Sequence, residues 1–238
     1  MNVKNTILLS LAVLSSTPNA THATATNYAP DTPAYNQVRE KLYAKGHSQK
    51  HVEQEVAEMR DYFLSEGLSD TQIEQLIRTQ ASEEISAKNL IVACNNNPKM
   101  QETIAEWVEF FHEGIKSESQ TNENLFFQAI TPTHLYHKMN IEGDVSKAIN
   151  TGQKEDVQRI QQIQAKLQSY PEIIAYINAV DKLFNVTIQL IQNNPNTTNT
   201  QQQITDCTDM FAQVYILEFM EQLAEGSKYI PELEEANA

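Results

Sequence analysis

Glycine occurs only six times in 238 residues and proline eight times, several of the prolines where a helix would begin. That scarcity of turn-forming residues constrains the fold more than any motif in the chain. A β-sandwich or barrel needs a turn signal about every 8 to 12 residues, and this sequence cannot supply them. Its apolar residues recur instead at intervals of three and four, the spacing of one helical face. The expected fold is all-α, with a short N-terminal helical-hairpin module packed on or hinged to a larger multi-helix bundle.

The first 25 residues have the order of an export signal. Lys4 precedes an apolar run from Ile7 to Leu14, and a small polar stretch ends at Ala23-Thr24-Ala25. A run this short falls far below the roughly 20 residues needed to span a bilayer, so residues 1–25 read as a cleaved signal peptide. Elsewhere no apolar run is longer than the five residues Leu90 to Cys94, so no membrane span is expected after cleavage. The product is expected to be secreted or periplasmic.

Residues 26–80 form the N-terminal module. Thr32-Pro33 offers a cap and a first helical residue, and a helix to about Lys45 should follow. A 21-residue repeat comes next. Leu42-x3-Gly46-x-Ser48-x3-Val52-Glu53-Gln54-x-Val56 matches Phe63-x3-Gly67-x-Ser69-x3-Ile73-Glu74-Gln75-x-Ile77. Each copy stops a helix at Gly and opens the next with a Ser cap. In the second copy Leu68 and Ile73 stand at staple positions, and Ser69 with Gln72 makes a capping box. Three short helices are expected to about residue 80. Their stripe of Val38, Leu42, Val52, Val56, Phe63, Ile73 and Ile77 is expected to leave part of itself uncovered, because so short a segment cannot enclose a core alone.

Residues 81–238 are the expected bundle. Asn97-Pro98 opens a helix with the stripe Ile104, Trp107, Val108, Phe111, Ile115, and shorter helices are expected between about 124 and 150. A long helix should cover about 153–169, and Pro171 should start another with Ile173, Ile177, Val180, Phe184, Ile188 and Ile191 on one face. Asn193–Gln203 reads as a loop, and a last helix from about 201 to 225 should end at Gly226.

Leu68-Ser69-x-x-Gln72 resembles the Leu-Thr-x-x-Gln signature of small exported helical proteins of the periplasmic stress-response and chaperone type. The resemblance covers five residues, with Ser for Thr. The other copy of the repeat reads His47-Ser48-x-x-His51, and a staple with a capping box gives the same letters for structural reasons.

Against 17 basic side chains stand 31 acidic ones, a net charge of −14. Such a chain repels phosphate backbones and gains nothing from counterion release, so nucleic acid is excluded as a partner and a basic protein is favoured. Phosphate loops, dinucleotide-type glycine patterns, Gly-x-Ser-x-Gly and His-Glu-x-x-His are all missing from the sequence, and no cofactor is implied. Glu109-x-x-His112 occurs once, where a di-iron bundle needs two copies and two further Glu. His47 with His51, and His134 with His137, have spacings that put two imidazoles on one helix face. Each pair supplies half of a metal shell unless the fold adds a carboxylate or another pair. The alternative for His51 is a cap role like that of Gln72. Cys94 and Cys207 lie on apolar faces of an exported chain with no other thiol, so a Cys94–Cys207 disulfide is expected, with two core thiols as the alternative.

The leading functional expectation is a non-catalytic exported protein that works by protein–protein binding, as a secreted effector or a periplasmic chaperone-like factor. A bundle carrying a small apolar ligand between Trp107, Phe110, Phe111, Phe126 and Phe127 is the alternative, and a hydrolase with an unrecognised site is the third.

Overall fold

The computed structural model describes residues 29–116, 165–194 and 199–226, together with positions 158 and 162. Every regular element among the described residues is helical: α1 (Pro33–Ala44), α2 (Gln49–Ser65), α3 (Asp70–Asn96), α4 (Pro98–Lys116), α5 (Pro171–Asn193), α6 (Thr200–Met210), a π-helical segment (Phe211–Glu218) and α7 (Phe219–Ala224). The all-α class follows. The helices expected between 124 and 150 lie outside the described residues, as does most of 153–169.

Two compact units divide the chain. One takes the described residues up to Ser82 together with Asn185–Cys207, and the other takes Glu83–Phe184 and the described residues from Thr208 on. The first unit is therefore not one contiguous stretch ending at residue 80. Gln80-Ala81-Ser82-Glu83 contains no Gly or Pro, so nothing stops α3 there, and the helix runs on to Asn96. The end of α5 and most of α6 complete the first unit.

Within that unit the repeat builds the same turn twice. Gly46 and Gly67 have φ of 79° and 90°, a region open to glycine at little cost. His47 N–H donates to Leu42 O at 3.3 Å and Leu68 N–H to Phe63 O at 3.1 Å, the six-to-one closure that satisfies the last carbonyls of a helix. Ser48 Oγ then accepts from His51 N–H at 3.4 Å. Ser69 Oγ accepts from Gln72 N–H at 3.4 Å, and Gln72 Oε1 accepts from Ser69 N–H at 2.8 Å. Leu68 and Ile73 are buried beside this box, so the five residues of the Leu-Ser-x-x-Gln run are accounted for by a helix start. Thr32 departs from expectation, for its hydroxyl makes no cap bond and is buried without a partner. Only its carbonyl takes part in the helix start, accepting from Asn36 N–H at 2.9 Å.

Two guanidinium clamps tie these helices together. Arg39 of α1 grips the Glu53 carboxylate of α2 with Nε at 3.0 Å and Nη2 at 3.1 Å, and also donates to the carbonyls of Pro30 and Ala29 and to Asn36 Oδ1. Arg60 of α2 grips Asp70 at the head of α3 at 2.7 and 2.8 Å. The buried Tyr35 hydroxyl donates to the same carboxylate at 3.3 Å. Burial first, and then the Asp70 charge, push the Tyr35 phenol far above its ordinary value. The hydrogen bond from Arg60 holds Asp70 below the usual aspartate value of 3.8.

A depressed carboxylate stabilises the fold above its unfolded value, and the gain is lost as pH falls through the folded one. The Asp70 side chain is 40% exposed, so solvent screening holds the effect to about 1 kcal/mol or less. Unfolding free energies of wild type and Asp70→Asn should therefore differ at neutral pH and converge as pH falls below 3.8. A difference that persists unchanged to the acid end would contradict the clamp.

In the second unit Met100, Ile104 and Trp107 of α4 are buried, and α4 packs against α7, whose Met220 and Leu223 are buried too. Asn97 caps α4, accepting from Met100 N–H at 3.3 Å. The last helix departs from the uniform α-helix expected. Tyr215, Ile216 and Leu217 are all buried in succession, as is Phe211. The segment widens to π geometry, which usually appears only as single-turn bulges. The buried Tyr176 hydroxyl of α5 donates to the Tyr215 carbonyl there. Rings wall the segment: Phe211 stacks on Tyr215 with centroids 4.7 Å apart, Phe184 meets Phe211 edge-on at 5.3 Å, and Tyr176 lies 4.4 Å from Phe219.

Candidate functional site

The exposed side of α3 carries the most conspicuous apolar surface of the described residues. Ile85 is 60% exposed and Val92 55%, while Leu90, Ile91 and Cys94 of the same helix are buried. Residues seven apart fall on one face, two turns from each other. Between and beyond them the face is finished by exposed Lys88, Asn89 and Asn96, and Asn96 Nδ2 turns back to donate to Val92 O at 2.9 Å. Single exposed aliphatics are ordinary on any protein. Two in register on a 27-residue helix, with one cation and amides around them, make a strip that a second helix can lie along.

The stripe expected to leave a groove in the N-terminal module does not leave one. Val38, Val52, Val56, Phe63, Ile73 and Ile77 are all buried, and Leu42 is half-buried. The added partners from residues 185–207 supply the core that 26–80 alone lacked. Much of the acidic surface there is also engaged within the unit. Glu53, Asp70 and Glu74 pair with Arg39, Arg60 and Arg78, and Glu58 accepts from Gln54 Nε2.

Of the candidate ligands, His47 and His51 are brought together. Their ring centroids lie 4.7 Å apart with planes tilted by 48°. His51 Nε2 lies 3.5 Å from Glu55 Oε1. The cap at this helix start uses the His51 backbone N–H, while its ring lies at Glu55. Among the described residues no group of three His, Cys, Asp or Glu is placed to hold a metal ion. His134 and His137 lie outside the described residues, and so do the side chains of Phe110, Phe111 and His112.

The expected Cys94–Cys207 disulfide is not present: neither cysteine is in a disulfide, and both are buried. Each is spent in the core of its own unit. The Cys94 thiol lies 3.9 Å from the Leu223 carbonyl of α7, to which it donates, and burial pushes its pKa up. A raised, shielded thiol is a poor nucleophile and a poor target for oxidation. Maleimide labelling of the native protein should be slow, and unfolding without reductant should reveal two thiols per chain. No labelled thiol after unfolding would restore the bridge.

Sequence reasoning missed one cluster. Glu83 is a buried carboxylate of α3, 5% exposed, and its charge reaches the wholly buried Tyr176, helping to raise that phenol well above its ordinary value after burial itself. Its neighbour Glu84 is only half-buried. No local signal separates the two, because only the packing of α3 decides which of two adjacent acids turns inward. Comparison finds no family model, no curated protein and no solved structure that matches the chain.

Proposed function

We propose that this is an exported, non-catalytic helical protein that acts by binding another protein along the Ile85/Val92 face of α3. The exposed aliphatic pair carries the reading, since Ile85 and Val92 are the large aliphatic side chains left exposed among the described residues. The signal-like order of residues 1–25 supports export to the periplasm or beyond. A net charge of −14 favours a basic partner and repels acidic ones. An amphipathic helix with basic flanks meets both requirements: its apolar stripe covers Ile85 and Val92, and its cations answer the charge of the chain.

The test is affinity capture with residues 26–238 from the native compartment at low and high salt, with mass spectrometry of what is retained. A basic protein that elutes as salt rises, and that is not retained by a chain substituted at Ile85 and Val92, supports the reading. Retention indifferent to those substitutions overturns it.

A further inference from the structure

We propose that His47 and His51 form a two-imidazole chelate for a divalent transition metal, copper(II) above all, in which Glu55 orients His51. The backbone sets the site. The left-handed turn at Gly46 and the closure of His47 N–H on Leu42 O fix where the chain enters α2. The Ser48 cap then fixes His51 one turn further on. Both residues are exposed, so the rings are open to an ion in solvent. Two nitrogens bound to one metal at about 2.0 Å each stand roughly 3 Å apart, a separation that centroids at 4.7 Å allow.

Glu55 supplies the second observation. It sits on the Nε2 side of the His51 ring, with its own side chain only 15% exposed. A carboxylate at one ring nitrogen keeps the proton there and raises the basicity of the other, the arrangement that orients metal-bound histidines. Glu55 thus faces the Nε2 edge of the ring, and the Nδ1 edge is left to the ion. The fold has added a carboxylate to the pair, but behind the imidazole and not as a third ligand, in keeping with the absence of a three-residue group among the described residues. Water completes the shell. Two imidazoles with water suit copper(II) best, with nickel(II) and zinc(II) weaker.

The experiment titrates residues 26–238 with copper(II) chloride in a non-coordinating buffer at neutral pH, followed by calorimetry and by electron paramagnetic resonance. The expected result is a site with two equatorial nitrogens, at least tenfold weaker in His47→Ala and in His51→Ala. Glu55→Gln should weaken it by about tenfold while keeping the two-nitrogen signature. His47 and His51 are exposed and Glu55 is half-buried, and circular dichroism checks that each variant folds. A His47→Ala/His51→Ala chain that binds copper with wild-type affinity and stoichiometry overturns the site, and a Glu55→Gln chain identical to wild type overturns the orienting role.

Discussion

The chain carrying Ile85→Asp and Val92→Asp should keep the wild-type helix content and melting temperature and lose roughly a hundredfold in affinity for its partner. Both side chains are already more than half exposed, so changing them removes little from the core. In a complex each would bury its remaining surface, contributing about 1 kcal/mol apiece. Carboxylates forced into an apolar contact add about 1 kcal/mol more, the lower end of the cost of burying a polar group. The sum, about 3 kcal/mol, is roughly two powers of ten in Kd. Aspartate is the informative replacement because extra negative charge attracts a basic partner. A loss of binding then reports the apolar contact and not repulsion. Unchanged affinity in a folded variant would remove this face from the interaction.

Arg39→Ala should be the most destabilising single change at a polar side chain of the first unit, by about 2–4 kcal/mol. The guanidinium is 12% exposed and its Glu53 partner 24%. Removing it breaks a bidentate pair in a poorly screened setting, strands a half-buried carboxylate, and releases the carbonyls of Ala29 and Pro30. Lost hydrogen bonds to a charged group cost about 1.5–3 kcal/mol, and breaking a buried pair from one side costs more than the pair was worth. At roughly 2–4 °C per kcal/mol for a chain of this size, the melting temperature should drop by about 5–15 °C. Arg39→Lys keeps the charge but loses the fork and should fall between. A melting temperature within a degree of wild type for Arg39→Ala would show the clamp to be ornamental.

Local chemistry made the helix boundaries of the repeat readable. Gly at a left-handed turn and Ser at a cap act within five residues, so α1, α2 and the start of α3 lie where Pro33, Gly46, Ser48, Gly67 and Ser69 put them. The grouping of helices was not readable, because it rests on contacts between residues 185–207 and the first helices that share no sequence neighbourhood. That is why the N-terminal stripe, expected to stay partly open, is buried. The candidate face was hidden for the complementary reason. Ile85 and Val92 look like core by composition, and only the burial of Leu90, Ile91 and Cys94 on the other side of α3 leaves them outside. The cysteines show the same limit: two apolar faces identified both thiols as buried, but burial did not make them neighbours.

The π-helical stretch near the end of the chain bears on how this protein tolerates changes of length. A π turn holds more residues than an α turn, so Phe211–Glu218 is a place where the helix has absorbed surplus chain without disturbing either end. Met220 and Leu223 just beyond it are 1% and 2% exposed, and their inward aim depends on the phase with which the helix leaves the widened segment. Taking one residue out between 211 and 218 lets the wide turn tighten toward α geometry, at the cost of the Tyr176 contact. The same deletion within α7 has no such slack to draw on and swings Leu223 out of the core. The irregular stretch of the last helix is thus the second unit's length buffer, the site where the chain can lose a residue and still close around Trp107.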